Sequence, residues 1–171
     1  IWVSAYGTLS FNELLSTEQT LTDIQTNNML LAALLVESVG GTIQYEKMVK
    51  SNNGKKRKKR NTSDDQLLEA QNNVNSFLGY SGFTADQGVL FEWSNVVSAE
   101  DSSLSNSFQA FIVTDSASTN SFVVFNYENI DFTTSLNGDL AEVGLFVLSD
   151  DTNECYRVLN STENLDLDKL A

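Results

Sequence analysis

The sequence predicts an α+β fold that is mainly β: an antiparallel sheet or sandwich with at least one packed helix, at about residues 63–79. Three observations carry this expectation. From Gly88 onward, apolar and polar residues alternate in short segments, which is the period of a half-buried strand. The connections between these segments are a few residues long, which favours antiparallel neighbours over crossovers. One stretch, from Ser63 to Leu78, has helical spacing instead. The chain has 171 residues, of which 41% are apolar, so it can bury a sizeable core as one domain.

Taken in order, Ile1, Val3 and Ala5 alternate up to a turn at Tyr6-Gly7, and Leu9 and Phe11 continue beyond it; this reads as two short strands. Residues 12–28 are polar with scattered Leu and Ile and read as loop, with room for a helical turn. Met29 to Ser38 is a continuous apolar run, the pattern of a strand buried on both faces. Gly40-Gly41 then gives a two-residue hairpin signal, and Thr42 to Val49 alternates again through Ile43 and Tyr45. Residues 51–65 cannot enter a core and read as a solvated, mobile excursion. In the helix that follows, Ser63 and Gln66 have capping-box spacing, and Asp64 and Asp65 suit the positive end of the dipole. Leu67, Leu68, Ala70, Val74, Phe77 and Leu78 fall on one broad face, and Gly79 is placed to end the helix. Strands are expected around Val89–Trp93, Phe108–Val113, Phe122–Tyr127, Ala141–Leu148 and Cys155–Leu159, with a hairpin turn at Asn137-Gly138. The acidic tail, 161–171, has the spacing of a short helix through Leu165, Leu167 and Leu170.

Composition excludes several chemistries. There is no His and one Cys, so His-based triads, His zinc sites, internal disulfides and multi-Cys metal sites are out. The net charge is −13, from 10 basic and 23 acidic residues. Six of the basic residues form one run, Lys55, Lys56, Arg57, Lys58, Lys59 and Arg60, so the remainder is an acidic body with a single basic insert. Such a body lacks the basic face that nucleic acid requires. The longest apolar run, Met29 to Val36, falls well short of the ~20 residues of a membrane span. The chain opens at Ile1 inside a strand pattern and reads as a fragment of a longer protein, so a missing leader says nothing about compartment.

No catalytic constellation, nucleophile motif or phosphate-cradling loop is recognisable, and no cofactor is implied. Asp150-Asp151 and Asp166-x-Asp168 carry hard oxygen ligands but not the spacing of a calcium loop, so exposed turn acids are the simpler reading and no metal site is assigned. Cys155 is either a small buried hydrophobe or one partner of a disulfide to a part of the protein outside this segment. Arg57-Lys58-Lys59-Arg60 has the R-x-[KR]-R form cut by secretory-pathway proprotein convertases. The same run would bind heparan sulfate or acidic lipid by charge alone, or act as a nuclear localisation signal, or have no partner. Asn61-Thr62-Ser63 and Asn160-Ser161-Thr162 are glycosylation sequons.

Beyond these readings, the stretch Asn106–Asp115 (NSFQAFIVTD), then Ser121–Tyr127 (SFVVFNY), then Asp131-Phe132-Thr133-Thr134 resembles the NIDO domain of nidogen, alpha-tectorin, sushi-domain proteins and a membrane mucin. Ile1-Trp2-Val3-Ser4 with Gly7 and Leu9-Ser10-Phe11, Gly41–Tyr45, Glu92–Val96 and Ala141–Gly144 are similar to further pieces of that domain, in the same order. In the strand after the opening loop the family usually carries a Pro, aromatic residues and an Asp, where this chain has Ala33, Leu34, Leu35 and Glu37. The resemblance implies one NIDO-like domain over 1–171 with a basic loop insertion at 51–63. It further implies an extracellular or cell-surface location as an ectodomain of a larger protein, no enzymatic activity, and matrix or cell-surface proteins as partners. The expected function is cell–matrix adhesion or matrix assembly. The alternative is a processed or heparan sulfate-binding secreted protein acting through residues 55–60. A nuclear acidic protein and a carboxylate-pair hydrolase are the remaining readings.

One test follows from the sequence itself. Asn61 lies directly after the bond that a convertase would cut, and a glycan there would crowd the protease cleft. Asn61→Gln is therefore expected to raise the fraction of chain cleaved after Arg60 in secreting cells, as read on a denaturing gel. An unchanged fraction, with Asn61 shown to be glycosylated in the parent, would sink the idea.

Overall fold

In a computed structural model, the described residues are 1–11, 29–51, 62–79, 82–136, 138, 140–148 and 155–157. The loop expected at 12–28 and the helix expected in the tail lie outside them. The elements are β1 (Trp2–Ser4), β2 (Thr8–Ser10), β3 (Met29–Leu35), β4 (Ser38–Val39), β5 (Thr42–Val49), α1 (Thr62–Leu78), β6 (Gln87–Ser98), β7 (Ser105–Thr114), β8 (Ser121–Ile130), β9 (Glu142–Leu148) and β10 (Cys155–Arg157). They form two five-stranded sheets, one ordered β1-β2-β3-β9-β10 and the other β4-β6-β7-β8 with β5 also on β6. The mainly antiparallel fold with a packed helix is thus as the sequence predicts. The chain divides into two compact units, 1–43, 93–108 and 127–171 in the first, 44–92 and 109–126 in the second.

In the first unit, β1 and β2 pair antiparallel, with Gly7 in the turn between them. Gly7 has φ +77, and a Cβ there would run into the Leu34 carbonyl and the Phe108 ring. Its own carbonyl accepts from Ala33 N at 2.9 Å, tying the turn to β3. Leu30 to Leu34 are five consecutive buried residues, as expected for a strand covered on both faces. The apolar run is not one strand to Ser38, however. Its register against β9 shifts between Ala32 and Leu35, and Ser38-Val39 becomes β4, paired with Val97 and Ser98 of β6 in the other sheet. Glu37 explains the break, since a carboxylate does not continue a two-faced apolar strand; its N–H is taken by Ser135 Oγ at 3.2 Å.

Gly40-Gly41 is likewise not a hairpin turn. Both residues have positive φ, but the strands on either side of them pair with the same neighbour, β6. Gly41 lies so close to the Asn95 carbonyl and Val96 Cα that a Cβ would approach each to 2.8 Å. The glycines interrupt an edge rather than reverse it. The turn expected at Asn137-Gly138 does form a closure: Thr134 bridges Leu140, and Gly138 N donates to Ser135 O at 2.8 Å. Asn137 itself is outside the described residues.

The core of this unit centres on Trp93, fully buried and stacked on Phe108 with centroids 5.1 Å apart and an 18° interplanar angle. Its indole Nε1 donates to Ser4 O at 2.8 Å. Tyr127 donates to Ala33 O at 2.7 Å, and burial pushes its phenol well above the ordinary range. Asn106, also fully buried, meets three backbone groups at once: its Oδ1 accepts from Asp131 N (2.9 Å) and Phe132 N (3.2 Å), and its Nδ2 donates to Phe132 O (2.8 Å).

In the second unit, α1 buries Leu67, Ala70 and Val74, spaced i, i+3, i+7, against Met48, Phe83, Leu90, Phe111 and Val113. Each fully buried Leu or Val of such a stripe contributes roughly 1.5–3 kcal/mol. The apolar face is narrower than expected: Leu68 is 50% exposed and Phe77 89% exposed. Leu68 lies about 100° around the helix from Leu67, off the stripe. Phe77 falls in line with Ala70, seven residues earlier, but sits in the last turn of the helix and is left uncovered. The capping box is absent as well. The helix begins at Thr62, Ser63 Oγ donates to Glu46 Oε1 at 3.4 Å, and Gln66 Oε1 has no partner among the described residues. Asn75 holds both backbone groups of Phe83, at 2.9 and 3.0 Å, and Gln71 accepts from Ala85 N at 3.2 Å. On β5 only Met48 is buried, and Tyr45, 74% exposed, lies over Phe91 at 6.4 Å. The β7–β8 connection is organised by Asp115, whose carboxylate accepts from Thr119 N (2.9 Å), Thr119 Oγ1 (2.9 Å) and Asn120 Nδ2 (2.8 Å). These bonds, that from Asn120 first, lower its pKa from 3.8 to about 2.

Two outcomes follow. Asn106→Ala strands the buried N–H and carbonyl of Phe132 and the part-buried N–H of Asp131, and is expected to cost about 3 kcal/mol in urea unfolding; Asn129→Ala, which loses one exposed bond to Ser105 O, is expected to cost less than about 1 kcal/mol. For Asp115, the folded pKa is depressed, so its stabilisation is complete above the unfolded pKa near 4 and is lost as pH falls toward 2. Asp115→Asn should therefore flatten the fall in thermal midpoint between about pH 4 and pH 2 relative to the parent.

Candidate functional site

The basic run Lys55–Arg60 and the sequon residue Asn61 lie outside the described residues, but both of their attachment points are within them. β5 ends at Val49, and Lys50 then fixes the exit: its N–H donates to Asp86 O at 2.8 Å and its Nζ lies 3.6 Å from Asp86 Oδ1. That ion pair is half exposed and contributes at most about 1 kcal/mol; the backbone bond does the holding. On the return side, Asp64 in the first turn of α1 accepts from Ser51 N at 3.0 Å. The two ends of the insert are therefore adjacent. Three acidic residues flank these attachment points: Asp64 accepts from Ser51 N, Glu46 from Ser63 Oγ, and Asp86 is paired with Lys50.

A second feature of the same unit is a solvent-open cleft of about 120 Å³ between α1 and the sheet. Gln66, Glu69, Ala70 and Asn73 line it from the helix, and Leu90, Gln109, Phe111, Val124 and Asn126 from β6, β7 and β8. The helix residues are spaced i, i+3, i+4, i+7, so one face presents them. Gln109 shares a face with Phe111, and Asn126 with Val124, by the two-residue period of a strand. The sheet amides are fixed in a relay: Asn126 Nδ2 donates to Gln109 Oε1 at 3.4 Å, and Gln109 Nε2 donates to Glu92 Oε2 at 2.8 Å. Among the described residues, Glu69 is the single ionisable one in the lining. The sequence reading missed this group, although the polar stripe beside the apolar stripe of α1, and polar residues in the helix-facing phase of three strands, were visible in it.

Of the other candidates, Cys155 opens β10, where its backbone pairs with Leu148 of β9. Asn160, Asp150, Asp151, Asp166 and Asp168 lie outside the described residues. Among the described residues no three acidic or Cys side chains converge as metal ligands, and no helix is long and apolar enough to cross a membrane.

Comparison with curated proteins and with solved structures finds no match. The family model described as the nidogen-like domain, NIDO, matches residues 1–166. That span takes in the opening hairpin, the Trp93 strand, the Asn106 bracket and β9. The chain belongs to the nidogen-like domain family, a family of extracellular modules.

Proposed function

We propose that this domain is a non-enzymatic module of cell–matrix adhesion or matrix assembly, acting as part of the ectodomain of a larger secreted or cell-surface protein. The observation that carries the reading is the family match across residues 1–166. Its partners are matrix or cell-surface proteins, met by surface rather than by a reacting centre. The absence of His and the single Cys in the whole sequence agree with such a role.

A second reading has its own support. The bonds Lys50 N to Asp86 O and Ser51 N to Asp64 Oδ1 hold the two ends of the basic insert side by side. An insert tethered at adjoining points and carrying six positive charges suits an extended-substrate protease or a sulfated polysaccharide. In this reading the domain is a glycoprotein processed after Arg60, or one retained on heparan sulfate.

Purified domain is expected to bind decellularised matrix saturably, and to keep that binding after heparitinase treatment. Binding no greater than that of an unrelated acidic protein would overturn the adhesion reading. Retention on heparin that disappears when Lys55–Arg60 all become Ala is the result expected from the second.

A further inference from the structure

We propose that the cleft between α1 and the sheet of the second unit binds one neutral sugar residue, held by Gln66, Asn73, Gln109 and Asn126. The inference stands on that unit's own geometry and does not rest on the adhesion reading.

The chemistry of the lining selects the ligand class. Carboxamides supply four of the nine lining residues, and each both donates and accepts. Sugar hydroxyls do the same, so adjacent hydroxyls on a pyranose match adjacent amides without leaving a donor facing a donor. Among the described residues no Lys or Arg lines the cleft, and Glu69 does, so an anionic ligand would meet a carboxylate there. One carboxylate at the rim is also too few for a bound cation. The floor, Leu90, Phe111 and Val124, is apolar and suits the C–H face of a ring.

Size and rigidity agree. The cleft is open to solvent and offers about 120 Å³, so a ring would enter by its edge and stay partly outside. Gln109 is held from both sides, by Asn126 and by Glu92, so the sheet wall is set before a ligand arrives. Gln66 has the opposite character: its Oε1 is shielded and has no partner among the described residues, so turning toward a ligand hydroxyl would satisfy it. A peptide strand would need a free sheet edge, whereas this cleft is closed by a helix on one side and a sheet face on the other.

The test is saturation-transfer NMR on the full chain with methyl β-galactoside, methyl α-mannoside and N-acetylglucosamine as probes. At least one should receive transfer. Asn73→Ala, at an exposed rim position, should weaken that sugar's binding roughly tenfold, the loss of one well-made hydrogen bond, without moving the thermal midpoint. Asn73→Trp, which fills the cleft mouth, should abolish it. Transfer to none of the three sugars overturns the proposal, as does a signal that survives both variants. Equal transfer to N-acetylneuraminic acid overturns the neutral assignment. Transfer to glycyl-glutaminyl-glycine with none to the sugars assigns the cleft to a protein side chain and overturns it equally.

Discussion

A buried indole must place its N–H on an acceptor, and much of the first unit follows from how Trp93 meets that demand. The acceptor is Ser4 O, so the opening hairpin is anchored to β6. The indole lies flat on Phe108, which anchors β7. The Phe108 ring then fills the space that a side chain at position 7 would need, so the hairpin turn takes Gly. The Gly7 carbonyl in turn collects the N–H of Ala33, and Tyr127 donates to the carbonyl of the same residue. Five strands, β1, β3, β6, β7 and β8, are positioned by one chain of contacts, in which three links are hydrogen bonds and two are packing of the Phe108 ring.

Long strands give the second unit its material. β6, β7 and β8 each run ten residues or more and contribute to both units. Their alternation carries a different burden in each part. Trp93 and Phe108 serve the first core, Leu90, Phe111 and Val113 the second, where α1 covers them. The helix is joined to that core by an apolar stripe of modest width and by amide clamps, Asn75 on Phe83 and Gln71 on Ala85, so carboxamides fix its placement as well as lining its cleft.

The elements that were legible from sequence are those whose signal is local. The alternation around Phe108 and Phe122, the i, i+3, i+7 spacing of Leu67, Ala70 and Val74, and the opening turn at Gly7 all stand as read. The errors have a common cause: local pattern does not name a strand's partner. Gly40-Gly41 has the φ values of a hairpin but joins two strands on β6. Met29–Ser38 looks continuous but changes sheet at Glu37. Leu68 met the hydrophobicity rule without meeting the geometric one, and Phe77 met both but lies in the last turn of the helix, where it is left exposed. The polar cleft was overlooked because Gln109 and Asn126 are single polar residues inside strand patterns otherwise read for their apolar members.

The closure at Ser51 and Asp64 has one more consequence. The segments before and after the basic insert, β5 and α1, share a core through Met48, Leu67 and Ala70. A cut after Arg60 would sever the backbone without removing either segment from that core. The product would be a two-chain particle that elutes as one species and separates only on denaturation. Its new amino terminus would precede α1 by one residue, and Asp64 and Asp65 in the first turn offset a positive charge at the start of a helix. Scission at this place would thus alter what the surface displays while leaving the scaffold whole.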